Sequence, residues 1–278
     1  MTDAAQPAAQ PDAGQPDELL IHRPAEGVVV ATLNRPARLN ALTLELFGRL
    51  EQLAHDLDRD DSARVLIITG AGRGFCSGYD LDAAGDLSAL SPMTMMDLQE
   101  RASDALSAIR TLRIPVIAAV NGAAAGGGLS LALVADIRLA STTAKFVAAF
   151  AKIGLSAGDL GASWLLPRLV GPGHAADIAY TGRTVTADEA VTMRLVNRVV
   201  EPDALLDEAI ALATSITRNS PAGVRLSKRA LQANLEVPSY MAATELENRG
   251  QTLLTRTKDM GEALQAFLEK RPASFTNE

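Results

Sequence analysis

Residues 19–33 alternate between apolar and polar positions and contain the β-branched run Val28-Val29-Val30. A turn at Ala25-Glu26-Gly27 divides them into two predicted strands. From Thr43 to Leu57 the period changes. Leu44, Leu46, Phe47, Leu50, Leu53 and Leu57 recur at helical intervals. "RVLIITG", "PVIAAVNG" and "DIRLAS" read as strands, and Met93 to Leu112 as a helix that stops before Pro115. Strands alternating with helices imply parallel pairing through crossovers, hence an α/β core. "AGRGFCSGYDLDAAGD" is too rich in glycine for a regular element. From Asp203 to Glu269 no strand alternation returns. "DALLDEAIALATSITR" combines helix formers with apolar spacing, and "SPAGVRLSKRALQANL" opens on a serine cap with Pro221 at the first helical position. The pattern divides the chain into a core over 19–205 and a helical region over 206–278, packed on the core or on another subunit.

Composition narrows the picture. A chain of 278 residues with 47% hydrophobic content suits one domain with an appendage. A net charge of −7 argues against a nucleic-acid binder, which needs a basic face. No apolar run reaches membrane-spanning length. Cys76 is the only cysteine, so no disulfide within the chain is possible, which suits a cytoplasmic protein. The Ala, Gln, Pro and Asp content of residues 1–18 reads as a disordered tail without signal-peptide character.

Two segments carry the candidate chemistry. "VLIITGAGRGFCSGYDL" and "PVIAAVNGAAAGGGLSLAL" each run from a buried strand into a glycine-bearing turn. A helix start leaves backbone N–H groups unpaired and partially positive, and glycine lets a ligand approach them. Two such turns side by side could aim two donors at one oxygen, as an oxyanion hole does. Glycines also serve close backbone packing. "GAGRGF" puts Phe75 where a dinucleotide fingerprint needs its third glycine, and no phosphate-loop motif is present.

These two segments, with "TLNRPARLNALT" before them and "GLSAGDLGASWLLPRLVG", "TGRTVTADEAVTMRLVNRVV" and "EALQAFLEKRPASF" after, resemble the crotonase family, also called enoyl-CoA hydratase/isomerase. The likeness covers about Leu19 to Phe275. It implies a crotonase-like spiral of repeated ββα units whose C-terminal helices build a homotrimer or hexamer. It implies an acyl-CoA thioester substrate, with coenzyme A as part of the substrate and no bound cofactor or metal. By motif position, the N–H groups of Tyr79 and Gly127 would hold the thioester carbonyl and stabilise an enolate. Arg35, Ala37 and Leu39 would follow the CoA. The backbone of Ser77, Tyr79, Asp80 and Leu81 would line the adenine and thioester end, and Gly126 would be a further substrate-binding position. Lys270 would reach a phosphate from a neighbouring subunit. For these cations, a solvated surface charge is the competing reading.

The chain also departs from the family. Ser130 and Phe150 stand where hydratases of this family carry two glutamates, so both are expected only to line the substrate site. Two-glutamate hydration needs one group to activate water and another to deliver a proton, and neither residue does this. Asp159, in the turn "SAGDLGAS", matches the catalytic aspartate of other branches and is the candidate acid/base; its alternative is a turn residue bonding its own backbone. Asp80 reads as a cap for the oxyanion turn, Asp136 as structural, and Cys76 as core filler. Trp164 follows the aspartate and His22, His55 and His174 fall outside the motifs, which disfavours dehalogenase and serine-nucleophile chemistry. The expected reaction is double-bond isomerisation or a related lyase step. Hydration, hydrolysis of a thioester or β-diketone, and acyl-CoA binding without turnover stay open.

Overall fold

The computed structural model describes residues 17–80, 82 and 89–278. The expected disordered tail falls mainly on residues outside these, as does Leu81. Asp17 and Glu18, assigned to that tail, are anchored. Asp17 binds Arg49 at 2.8 Å and Glu18 binds Arg35 at 2.7 Å.

β1 (Leu19–Ala25) and β2 (Val28–Leu33) form the antiparallel pair expected from the alternation, turning at Gly27 with φ +74°. Thr43 caps α1 (Leu44–Arg59) by accepting from the Leu46 N–H. Three turns of a spiral follow. β3 (Val65–Gly70), β4 (Gly74–Cys76) and α2 (Pro92–Thr111) make the first. β5 (Val116–Val120), β6 (Ala123–Ala125) and α3 (Gly127–Val134) make the second. β7 (Ile137–Ser141), β8 (Lys145–Val147) and α4 (Ala162–Val170) make the third. Each turn gives one strand to each of two sheets, which is the ββα repeat of a crotonase-like fold. α5 (Pro172–Thr181), β9 (Thr184–Thr186), α6 (Ala187–Thr192) and β10 (Arg198–Val200) close the core. The large sheet runs β1-β2-β3-β5-β7-β10 and the small one β4-β6-β8-β9.

The central strands of the large sheet, β2, β3 and β5, are apolar on both faces, as parallel strands covered twice must be. Val29, Leu33, Leu66, Ile68, Val116 and Val120 join the main core. Val28, Val30, Val65, Ile67, Ile117 and Leu139 form a second core under α7 (Leu205–Thr217), which lays Leu205, Ala209 and Ala213 across them. Each fully buried Val, Leu or Ile contributes about 1.5–3 kcal/mol. The first helix of the C-terminal region thus packs on the core.

Ser220 and Pro221 start α8 (Pro221–Asn234) in the cap arrangement their order implies. A polar clip ties this helix down. Buried Lys228 donates to the Ile114 carbonyl at 2.8 Å and pairs with Asp136 at 2.8 Å. Asp136 also accepts from the Val116 N–H at 2.8 Å, so its place is structural. α9 (Tyr240–Leu254) and α10 (Lys258–Glu269) leave Tyr240, Met241, Leu253, Phe267 and Leu268 exposed in this single chain.

Candidate active site

The two glycine-bearing segments lie side by side. β4 and β6 pair in parallel, with Cys76 opposite Ala124, and α3 starts directly after β6. The three consecutive glycines answer to three different needs. Gly126 has φ +51° and ψ −122°, a conformation nearly confined to glycine. Gly128 meets the other segment's backbone: a Cβ there would lie 2.1 Å from the Cys76 carbonyl oxygen. Gly127 has neither a positive φ nor a backbone atom against its Cβ position, only side chains. Its Cβ position is 3.3 Å from Leu160 Cδ1 and 3.5 Å from Tyr79 Cδ2. Close packing therefore explains Gly128, backbone conformation explains Gly126, and Gly127 is the glycine that borders Tyr79.

The backbone around Tyr79 is held from one side. Leu42 donates to the Gly78 carbonyl at 2.7 Å and the Asp80 N–H donates to the Leu42 carbonyl at 2.9 Å. This parallel bridge uses the groups flanking Tyr79 and turns the Tyr79 N–H away from Leu42. Gly78, with φ +97°, brings the turn against α3: a Cβ on it would stand 3.2 Å from the Gly127 nitrogen. That nitrogen opens α3, where no carbonyl of the same helix can receive it. Two backbone donors thus come from adjacent turns, one at the positive end of a helix.

A charged network supports the turn from below. Asp80, 5% exposed, pairs with Arg35 Nη1 at 2.8 Å, and Arg35 Nε pairs with Glu18 at 2.7 Å. Arg35 Nη1 also donates to the Ala41 carbonyl at 2.7 Å. The guanidinium expected along the CoA is engaged within the protein, buckling the early loop to the turn. Asn40, fully buried at φ +56°, donates to the carbonyls of Ala71 and Gly74 at 2.9 and 2.8 Å.

Ala37, Leu39, Ser77, Tyr79 and Asp80 line one groove of about 350 Å³. Its cations are Arg38 and Arg73, which the sequence pattern did not single out. Arg38 bridges Asp80 and Asp82, and this pairing raises its pKa further. Lys270 is exposed at the end of α10 with φ +56° and does not line the groove.

Asp159 lies in a turn with left-handed residues after it, Leu160 at φ +48° and Gly161 at φ +81°. Its Oδ1 accepts a hydrogen bond from Gln99 Nε2. Gln99 Oε1 in turn accepts from the Tyr79 hydroxyl at 3.3 Å. Burial pushes the Asp159 carboxyl above its ordinary pKa, and the Gln99 N–H opposes that shift. Burial, reinforced by the Asp159 charge, pushes the Tyr79 phenol up as well. Ser130 is fully buried and donates to the Asp159 backbone carbonyl at 3.3 Å. Phe150 is buried in a 3-10 turn over Ala149–Ile153, with its ring 4.0 Å from the Cβ position of Gly126. Neither position offers a carboxylate. Burial drives the Cys76 thiol up to about 12, which keeps it protonated. Gln99 is the site residue that sequence reasoning missed, because a glutamine on an amphipathic helix carries no signature. Among the described residues no cluster of His, Cys, Asp and Glu could hold a metal ion.

Residues 23–278 match the family model described as enoyl-CoA hydratase/isomerase. The chain is 40% identical over 265 residues to the probable enoyl-CoA hydratase EchA12 of Mycobacterium tuberculosis, covering 94% of this chain and 93% of that protein. It is 38% identical over 260 residues to the 1,2-epoxyphenylacetyl-CoA isomerase of Escherichia coli, covering 93% and 98%. The crystal structure of a probable enoyl-CoA hydratase/isomerase from Mycobacterium abscessus superposes with a TM-score of 0.87 at 40% identity, over 94% of this chain and 100% of that one.

Proposed function

The chain belongs to the enoyl-CoA hydratase/isomerase family, and from that premise we propose that it moves a proton on the acyl group of a CoA thioester without adding water. The thioester oxygen sits between the N–H groups of Tyr79 and Gly127. Negative charge grows on it as the α-proton leaves. Losing one such donor costs about 2.7–4 kcal/mol of transition-state stabilisation in oxyanion holes of known enzymes.

Asp159 is the base. Gln99 occupies its Oδ1, so the proton goes to Oδ2. A carboxyl raised by burial holds that proton more readily than a solvated one, and can return it. With a 3-enoyl thioester, the C2–H bond breaks and its electron pair enters a dienolate. On Asp159 Oδ2 that proton exchanges with solvent; the carboxyl then delivers a proton to C4, forming a C4–H bond, and the double bond moves from C3–C4 to C2–C3. The observation that carries this reading is the chain Tyr79–Gln99–Asp159. It ties a candidate oxyanion residue to a single acid, while Ser130 and Phe150 supply no second one.

The CoA follows the groove of Ala37, Leu39 and Ser77, with Arg38 and Arg73 facing its phosphates. The exposed apolar side chains of α9 and α10 suit a homotrimer or hexamer, in which Lys270 of one copy reaches the phosphate bound by another. A lone buried cysteine fits a cytoplasmic setting.

The test is a panel of saturated, 2-enoyl, 3-enoyl and dienoyl-CoA thioesters in heavy water, followed by mass spectrometry. Deuterium entering a thioester without net water, and lost in Asp159→Asn, is the expected result. A net gain of one water would establish hydration instead. Free thiol would mean hydrolysis, and no change with retained binding would mean a binding protein.

A further inference from the structure

A second cavity, of about 290 Å³, lies between α2 and the start of α4. Leu160 forms one of its walls, and the same side chain lies 3.3 Å from the Cβ position of Gly127. The cavity therefore begins one residue beyond Asp159. Gln99, Ser103, Leu106 and Arg110 follow one face of α2 at helical intervals. Gln99 touches Asp159 at one end of this face, and Arg110 lines the cavity at the other, about 16 Å along the helix.

The cavity's charge is unusual. The Arg110 guanidinium stands 5.0 Å over the ring of Trp164, and the Arg168 guanidinium 3.8 Å from the same ring. Among the described residues neither arginine pairs with a carboxylate: Arg168 donates to the Trp164 carbonyl, and Arg110 stands over the indole. The neighbouring charges are committed elsewhere. Lys228 holds Asp136, and buried Arg138 donates to the carbonyls of Leu195 and Ala135 at 2.8 and 2.6 Å. Glu236 lines the cavity but is exposed and pairs with neither arginine. A partly buried guanidinium at a cavity wall, braced on an indole, offers a planar fork suited to a carboxylate. Ser103 and Ser107 add hydroxyls on the same wall.

We propose that this cavity receives the far end of the acyl chain, and that Arg110 with Arg168 selects thioesters whose acyl group ends in a carboxylate. The inference rests on the acyl-CoA reading above for the thioester end, and adds the substrate class.

Trp164 is the only tryptophan in the chain, so its fluorescence reports on the site directly. Binding of two saturated, non-reacting acyl-CoA thioesters of equal medium length is measured, one ending in methyl and one in carboxylate. The carboxylate-ended thioester should bind about tenfold or more tightly and shift Trp164 emission. Arg110→Met should abolish the preference. Glu236→Gln, which removes the opposing charge, should increase it. The readout needs no turnover, so it separates failure of this proposal from failure of the catalytic one. Equal affinity for the two thioesters overturns it, as does a preference that survives in Arg110→Met. A shift produced equally by free succinate or inorganic phosphate would also overturn it, by marking a free-anion site.

Discussion

Replacing Gly128 by alanine separates the roles of the adjacent glycines. The added Cβ would lie 2.1 Å from the Cys76 carbonyl oxygen, 2.7 Å from its carbon and 2.8 Å from its Cβ. Carbon–oxygen contacts close at about 3.3 Å, so β4 and the start of α3 must part by about 1 Å. Those elements carry Tyr79 and Gly127 to their meeting point. Overpacking of this kind costs about 1–3 kcal/mol of stability. A displacement of about 1 Å at a reacting centre can cost about a hundredfold in rate. Gly126→Ala is the control. Its Cβ would meet only Phe150, at 4.0 Å, so it brings backbone strain of about 1–3 kcal/mol and no wedge. Thermal melts and rates of α-proton exchange into heavy water measure both variants. The account requires comparable losses of stability, with exchange falling far more in Gly128→Ala. Equal rates in the two variants would refute the reasoning that this close approach sets the donors.

Three further outcomes follow from the site. Gln99→Leu removes an N–H that favours the Asp159 carboxylate, so the acid limb of the kcat/KM profile should move to higher pH with little change in KM; an unmoved limb excludes Gln99 as a positioning residue. Because burial raises the Asp159 carboxyl in the folded chain, its contribution to stability is complete below the ordinary carboxylate range and is lost as pH rises through the raised value. Asp159→Asn should therefore raise Tm at neutral pH and lose that gain in acid, as calorimetry across pH would show; a gain independent of pH counts against burial as the cause. Arg38→Met with Arg73→Met should raise KM for an acyl-CoA but not for the same acyl group on pantetheine, and equal changes would remove both arginines from the phosphate end.

Much of the core is legible in the chain. Val28 to Leu33, Val65 to Gly70 and Val116 to Val120 are apolar runs long enough to read as strands, because both faces of their sheet are covered. The small sheet is not legible. β4, β6, β8 and β9 have three residues each, too few for a period, and β4 and β6 are built from glycine, alanine, Phe75 and Cys76. The glycines mark where backbones meet, but spacing does not say which one is conformational and which is steric. The groove residues were legible as one motif on either side, since Leu39 and Ser77 are brought together by a backbone bond of 3.0 Å. Arg35 was not: nothing in "NRPARLN" tells that Glu18 and Asp80 engage it while Arg38 stays half exposed. Partners 17 and 45 residues away decide which arginine is drawn under the turn and which stays half exposed in the groove, and only the folded chain brings them into range.

The most direct test of the oxyanion reading is a crystal structure with a non-reacting acyl-CoA thioester bound. The account predicts the thioester oxygen within about 3.2 Å of both the Tyr79 and Gly127 nitrogens, with Asp159 Oδ2 facing the carbon beside it. A thioester oxygen bound elsewhere, with either nitrogen facing water or another protein group, would contradict it.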